Sequence, residues 1–178
     1  MKRQIIIIIA VVLVLLPSTL FSQNKIKWYS FEEAFELNKK SPKKIFIDVY
    51  TDWCGWCKRM DATTFSNPYI VEYMNKHYYS VKLNAERVDT VFVDGQMFIN
   101  PNPRQRKSSH QLAVSLLQGK MSYPSYVFMN EKNEWLTVVP GYMKPPAFEP
   151  VIRYFGDGDY LNKNWEEYNK TFKADIVE

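Results

Sequence analysis

Cys-Gly-Trp-Cys at residues 54–57 follows directly on a short apolar run, KKIFIDVYT at 43–51, and this junction constrains the fold more than any other feature of the chain. The run is rich in Ile, Val, Phe and Tyr and is apolar on both faces apart from Asp48, as a buried central strand requires. The next residues, DWCGWCKRMDATTF, start a helix at the first cysteine. The first turn of such a helix leaves backbone N–H groups unpaired and carries a partial positive charge, which stabilises a thiolate. Cys54, at the cap, is therefore the attacking sulfur, and Cys57, one turn in, the resolving one. Their spacing also lets the two sulfurs close a disulfide that exchange can reopen.

Other uses of the pair are weaker. A structural staple across so short a loop removes little unfolded-state entropy. Zinc needs four ligands, and the remaining candidates, His77 and His110, stand 33 positions apart, so no metal is expected. Both histidines read as surface residues at helix ends. Covalent haem needs a histidine after the second cysteine, where Lys58 stands.

Composition sets the wider limits. A chain of 178 residues at 46% hydrophobic and 16% aromatic can bury one core, and one domain is expected. Lys plus Arg is 23 against 19 Asp plus Glu, and this net charge of +4 falls short of a nucleic-acid binder, so no nucleic-acid partner is expected. Two cysteines are too few for a disulfide framework.

Residues 1–22, MKRQIIIIIAVVLVLLPSTLFS, have a basic start, an apolar run from Ile5 to Leu16 and a small-residue region after Pro17, which is the layout of a secretory signal peptide cleaved after Ser22. The run ends short of the roughly 20 apolar residues of a stable membrane span. Cleavage leaves 156 residues at net +2, because Lys2 and Arg3 leave with the segment. Export puts the cysteines where disulfides persist, so a periplasmic or otherwise exported location is expected.

Along residues 23–178 the elements alternate. Ser30-Phe31-Glu32-Glu33 is a capping box that opens a helix over 30–40. Asn67-Pro68 caps a second helix after the cysteines, running to about His77, and YYSVKLN at 78–84 is the next strand. TVFVDGQMFIN at 90–100 alternates around Asp94-Gly95, a hairpin signal. A polar loop follows, in which Arg104, Arg106 and Lys107 read as a solvated cationic face, with a reader of an anionic patch as the alternative, and then a helix over 110–118. A second hairpin joins 125–130 to 135–140. Helices near 146–155 and 160–173 flank a Gly156-Asp157-Gly158 break. This order implies a single α/β domain, with a mixed central sheet flanked by helices on both faces.

The segment IDVYTDWCGWCK, in which Asp48 stands six residues before Cys54, resembles the active-site segment of thioredoxin-like proteins. SVKLN resembles the family's next strand, and the resemblance implies that Lys82 approaches Asp48. SYPSYVFMN resembles the strand start that carries the family's cis-proline, which implies that Pro124 lies beside the cysteines and that Gly141 ends the following strand. The likeness spans residues 43–141 and implies a thioredoxin-like fold, with the 90–100 hairpin inserted ahead of that fold's third helix, here the one at 110–118.

The resemblance implies site residues as well. Asp48, in an apolar strand, is the candidate base for the Cys57 proton, with a simple ion pair to Lys82 as the alternative. The backbone of Tyr123, before Pro124, would face a docked substrate strand. Trp53 and Trp56 form either an apolar docking lip or, for one of them, a core contact. The Gly55-Trp56 pair and the bulk of Tyr123 depart from the family pattern. TTFSNPYIVEYMN is similar to the C-terminal domain of transmembrane thiol–disulfide interchange reductases.

The expected function is an exported thiol–disulfide oxidoreductase that needs no cofactor and reduces or isomerises disulfides in other exported proteins. A membrane thiol–disulfide protein is the expected electron donor. The alternatives are a dedicated oxidase and a non-enzymatic binding module with a redox-sensitive cysteine pair.

Overall fold

A computed structural model describes residues 25–176, and the expected signal peptide at 1–22 lies outside them. The central sheet has five strands: β1 (Trp28–Tyr29), β2 (Lys44–Tyr50), β3 (Tyr78–Asn84), β6 (Ser125–Met129) and β7 (Trp135–Pro140), in the order β1-β3-β2-β6-β7. β1 and β2 run parallel to β3, while β6 is antiparallel to both β2 and β7. The sheet is thus mixed, and β2, which leads into the cysteines, is its central strand. β1 was not foreseen, because two residues are too short to show a period.

Helices cover both faces. On one face lie α1 (Phe31–Lys40) and α4 (Gln111–Leu116), packed through Phe31, Ala34, Phe35, Leu112 and Leu116 against Ile45, Ile47, Val49, Val81 and Val127. On the other lie α2 (Gly55–Ala62), α3 (Pro68–His77), α5 (Pro145–Gly156) and α6 (Trp165–Thr171), which enclose Phe46, Tyr126 and Phe128. Successive residues of β2 serve opposite faces, which is why it is apolar throughout. Phe46 is the hub of an aromatic cluster, with Tyr126, Phe128 and Phe148 ring centroids at 5.4 to 5.9 Å.

The local signals act as expected at most ends. The Ser30 hydroxyl accepts from the Glu33 N–H while the Glu33 carboxylate accepts from the Ser30 N–H. The Asn67 side chain accepts from the N–H groups of Tyr69 and Ile70, with Pro68 in the first turn of α3. The inserted hairpin is present as β4 (Val91–Val93) and β5 (Gln96–Phe98), turning through Asp94 and Gly95, both at positive φ.

The structure corrects three expectations. The helix foreseen over 160–173 is a 3-10 turn at Asp159–Leu161 followed by α6, because Asn164 caps a fresh start by accepting from the Glu167 N–H. The helix over 110–118 is shorter and ends before Leu117. His110 is fully buried, not a surface residue: its Nδ1 caps α4 by accepting from the Leu112 N–H at 3.2 Å, and its Nε2 meets the Asp89 carbonyl at 3.0 Å. Burial therefore pushes the His110 imidazole below its usual pKa, despite the Asp89 carbonyl. His77 lies at the end of α3, half-buried and stacked on Tyr73.

Candidate active site

The site is built where β2 ends. Thr51 turns the chain by accepting from the Cys54 N–H at 3.1 Å, and Cys54 becomes the N-cap of α2. Its sulfur accepts from the Cys57 N–H at 3.0 Å, so an unpaired first-turn donor of the helix points at Sγ. The two cysteines form a disulfide. Cys54 is 5% exposed and Cys57 2%, which agrees in direction with an outer and an inner sulfur.

Beneath α2 sits Asp48, 1% exposed, directly opposite Lys82 on β3 and Tyr126 on β6. Lys82 Nζ lies 2.7 Å from Asp48 Oδ2, a close ion pair, yet among the described residues no well-aligned donor reaches either carboxylate oxygen. Burial pushes the Asp48 carboxyl up to about 6, against the pull of the Lys82 ammonium and with help from the nearby Asp61 charge. For Lys82, burial works against the ammonium, but Asp48 and Asp61 outweigh it and the pKa is raised. The ammonium also faces the rings of Trp28, Tyr50 and Phe65 at 5.0 to 5.4 Å.

Asp61 was missed in the sequence. It bonds Lys82 from α2 and is half-exposed, so it links the buried pair to solvent. Its signal was the spacing of four from Cys57, which puts both on one helix face. Tyr126 was also missed: its buried hydroxyl has no partner among the described residues, and burial followed by the Asp48 charge raises its pKa.

The Tyr123-Pro124 peptide is cis, as the resemblance implied. It is held at the mouth of the site by two contacts. Tyr123 packs edge-on against Trp53 at 5.8 Å, and the Pro124 carbonyl accepts the Gly141 N–H at 2.8 Å. Gly141 adopts φ 98°, a conformation that side chains resist, which explains glycine there.

Trp53 and Trp56 are 51% and 59% exposed, so neither is a core residue. The Trp53 indole N–H donates to Glu86 Oε1 at 2.9 Å, and Lys107 Nζ lies 5.0 Å over its ring. Trp56 pairs with Tyr142 at 5.3 Å, and the Arg59 guanidinium lies 6.0 Å over the Tyr142 ring. The cystine is thus flanked by two aromatic pairs, each carrying a cation. Tyr142, Glu86 and Lys107 had no local sequence signal, because β7 and the inserted loop bring them in.

All eight residues named from sequence, Asp48, Trp53, Cys54, Trp56, Cys57, Lys82, Tyr123 and Pro124, fall on the end of β2, the start of α2, β3 and the turn into β6. The chain is similar in sequence and in fold to several known proteins. An uncharacterized protein of Archaeoglobus fulgidus is 34% identical over 92 residues, covering 51% of this chain and 72% of that protein. Spermatogenesis-associated protein 20 of Rattus norvegicus is 34% identical over 40% of this chain, and the match covers only 10% of the rat protein. A thiol:disulfide interchange protein DsbD of Photorhabdus laumondii is 23% identical over 71% of this chain and 19% of its own length. Among solved structures, one titled DsbH oxidoreductase superposes with a TM-score of 0.54 at 18% identity, covering 78% of this chain and 90% of that one. A thioredoxin-fold protein from Helicobacter pylori gives 0.54 at 20% identity, covering 78% of this chain and 87% of that one. These two likenesses establish the thioredoxin-like fold. The family model Thioredox_DsbH, described as "Protein of unknown function, DUF255", matches residues 18–173. With that match over most of its length and the Cys54–Cys57 pair in place, the chain belongs to the thioredoxin-like DsbH/DUF255 family.

Proposed function

We propose that the chain is an exported thiol–disulfide oxidoreductase that reduces or isomerises disulfides in other exported proteins. The observation that carries this reading is Cys54 Sγ at the N-cap of α2, accepting the Cys57 N–H above the buried Asp48–Lys82 pair. The DsbD relative, by name a thiol:disulfide interchange protein, supports the same chemistry. Export rests on the signal-like segment at 1–22; among the described residues no helix is long and apolar enough to cross a membrane.

In the reducing direction the Cys54 thiolate attacks one sulfur of a substrate disulfide. A mixed disulfide forms and the first substrate thiolate leaves. Asp48 takes the Cys57 proton, and the Cys57 thiolate attacks Cys54 Sγ. The second substrate thiolate leaves, and the protein is left as the Cys54–Cys57 disulfide. Two electrons have passed to the substrate, and an external dithiol, for which a membrane thiol–disulfide protein is the proposed source, must restore the pair. Trp53, Trp56 and the Tyr123-Pro124 backbone line the mouth where the substrate strand docks.

The binding-module reading draws on the 5% exposure of Cys54, which leaves little sulfur surface for attack. Trapping separates the two. In the Cys57→Ser variant an attacking Cys54 accumulates mixed disulfides with substrate or glutathione, and Cys54→Ser abolishes them. Glutathione titration then reads the direction of flow: a potential near about −270 mV marks a reductase, one near about −120 mV an oxidase. A pair that shows no reversible exchange overturns the enzyme reading.

A further inference from the structure

The inserted segment between β3 and α4 ends in a loop, residues 101–109, that carries Arg104, Arg106 and Lys107, all exposed. In sequence this cluster read as an ordinary solvated face. The structure instead sets one of the three against the site: Lys107 Nζ lies over the ring of Trp53, the neighbour of Cys54, and Arg104 and Arg106 precede it on the same loop.

The loop is also pinned. The buried Asn100 side chain donates to the carbonyls of Arg87 and Ser108 and accepts from the Asn102 N–H and the Ser108 hydroxyl. Gln111 closes the base by exchanging bonds with Ile99, and His110 donates its N–H to the Ala85 carbonyl at 2.8 Å. These seven bonds pin the two ends of the loop.

The charges on it lack partners. No carboxylate among the described residues pairs with Arg104, Arg106 or Lys107. Two acids of the same insertion are already engaged: Asp89 by Arg87, which also reaches Glu32 of α1, and Asp94 by Lys39. Asp61 on α2 is engaged by Lys82, and of the remaining acids beside the cysteines Glu86, half-buried, accepts the Trp53 indole N–H and Asp52 is exposed. Against these two stand the three loop cations and, across the cystine, Arg59 over Tyr142. A pinned, uncompensated positive rim at the mouth of a site attracts negative partners and orients them on approach.

We infer that the 101–109 loop is a recognition surface for an acidic stretch of polypeptide lying beside the disulfide that Cys54 attacks. This rests on the oxidoreductase reading above and names the substrate class of that same site. Arg104 and Arg106 meet the carboxylates directly, while Lys107 holds the Trp53 end of the mouth. Because the surface acts on encounter, its effect falls on the second-order rate of exchange and is screened by salt.

The test uses the reduced protein and two peptides with the same internal disulfide, one flanked by three glutamates and the other by three glutamines. Stopped-flow tryptophan fluorescence gives the rate of protein oxidation by each. At low ionic strength the glutamate peptide is expected to react about tenfold faster, a preference that collapses at 0.5 M salt. In the triple variant Arg104→Gln, Arg106→Gln, Lys107→Gln the ratio of the two rates falls to near one. The charge-reversed variant with glutamate at all three positions inverts it. Equal rates for both peptides on the native protein, or a preference that survives in the triple variant, overturn the inference and leave the oxidoreductase reading standing. Failure of the native protein to exchange with either peptide or with oxidised glutathione overturns both.

Discussion

Asp48 is the residue at which structure and chemistry compete most directly. Its carboxyl is raised from 3.8 to about 6 by burial, so the folded chain holds the proton more tightly than the unfolded chain does. The contribution of this group to folding stability is therefore complete below about pH 4 and is lost as the pH rises through about 6, where the buried carboxyl ionises. Asp48→Asn is expected to stabilise the oxidised protein by about 3 kcal/mol at pH 8 and by almost nothing at pH 4, while slowing release of the mixed disulfide. Urea unfolding at the two pH values measures this. A variant less stable than the native protein at pH 8 would show that Asp48 serves as a structural partner of Lys82, the alternative weighed from sequence. Asp48 was legible because a lone acid in an apolar strand breaks the pattern. Asp61 was not, because one acid on an exposed helix face breaks none, and only the fold brings it to Lys82.

At the scale of elements, the ends of α1 and α3 follow from side chains that bond their own neighbours, Ser30 with Glu33 and Asn67 with Tyr69 and Ile70. Such signals are local and survive in the sequence. The start of α4 is different: His110 caps it only because the inserted hairpin brings the Asp89 carbonyl to its other ring nitrogen. The ring must be neutral, since Nδ1 accepts while Nε2–H donates. A lowered histidine pKa means that the unfolded chain binds the proton more readily, so this contribution is complete above about 6.5 and is lost as the pH falls below it. Hydrogen exchange should show the Leu112 amide losing protection between pH 7 and pH 5, beyond the intrinsic change in exchange rate. His110→Asn, which keeps a capping oxygen without a titrating ring, should lose none of that pH-dependent protection. Equal behaviour in the two proteins would mean that the His110 ring is not what holds the start of α4.

Over the whole molecule, the layers followed from the order of the elements and from β2, a strand apolar on both faces and therefore central, but the C-terminal segment did not. After α6, Phe172 and Ile176 pack on the aromatic core. The cause lies in α5, where the fully buried Glu149 accepts the N–H groups of Asp175 and Ile176 at 3.0 and 2.9 Å. Arg153 adds a bond to Asp175 at 2.7 Å and another to the Tyr69 hydroxyl at 2.8 Å. A buried carboxylate that depends on tail amides for its donors ties the end of the chain to the core. Ending the chain after Thr171 leaves Glu149, among the described residues, with Arg153 alone, at 3.8 Å, and exposes the surface that Phe172 and Ile176 cover. That truncation is expected to lower the unfolding free energy by about 2–4 kcal/mol. Adding Glu149→Leu to it should restore part of the loss, because the orphaned charge is then gone. The Cys54–Cys57 potential should stay unchanged throughout, since the tail's partners lie on α3 and α5, away from the start of α2. Denaturant unfolding beside glutathione titration reads both quantities, and a truncated chain as stable as the full one would show that the tail merely rests on the surface.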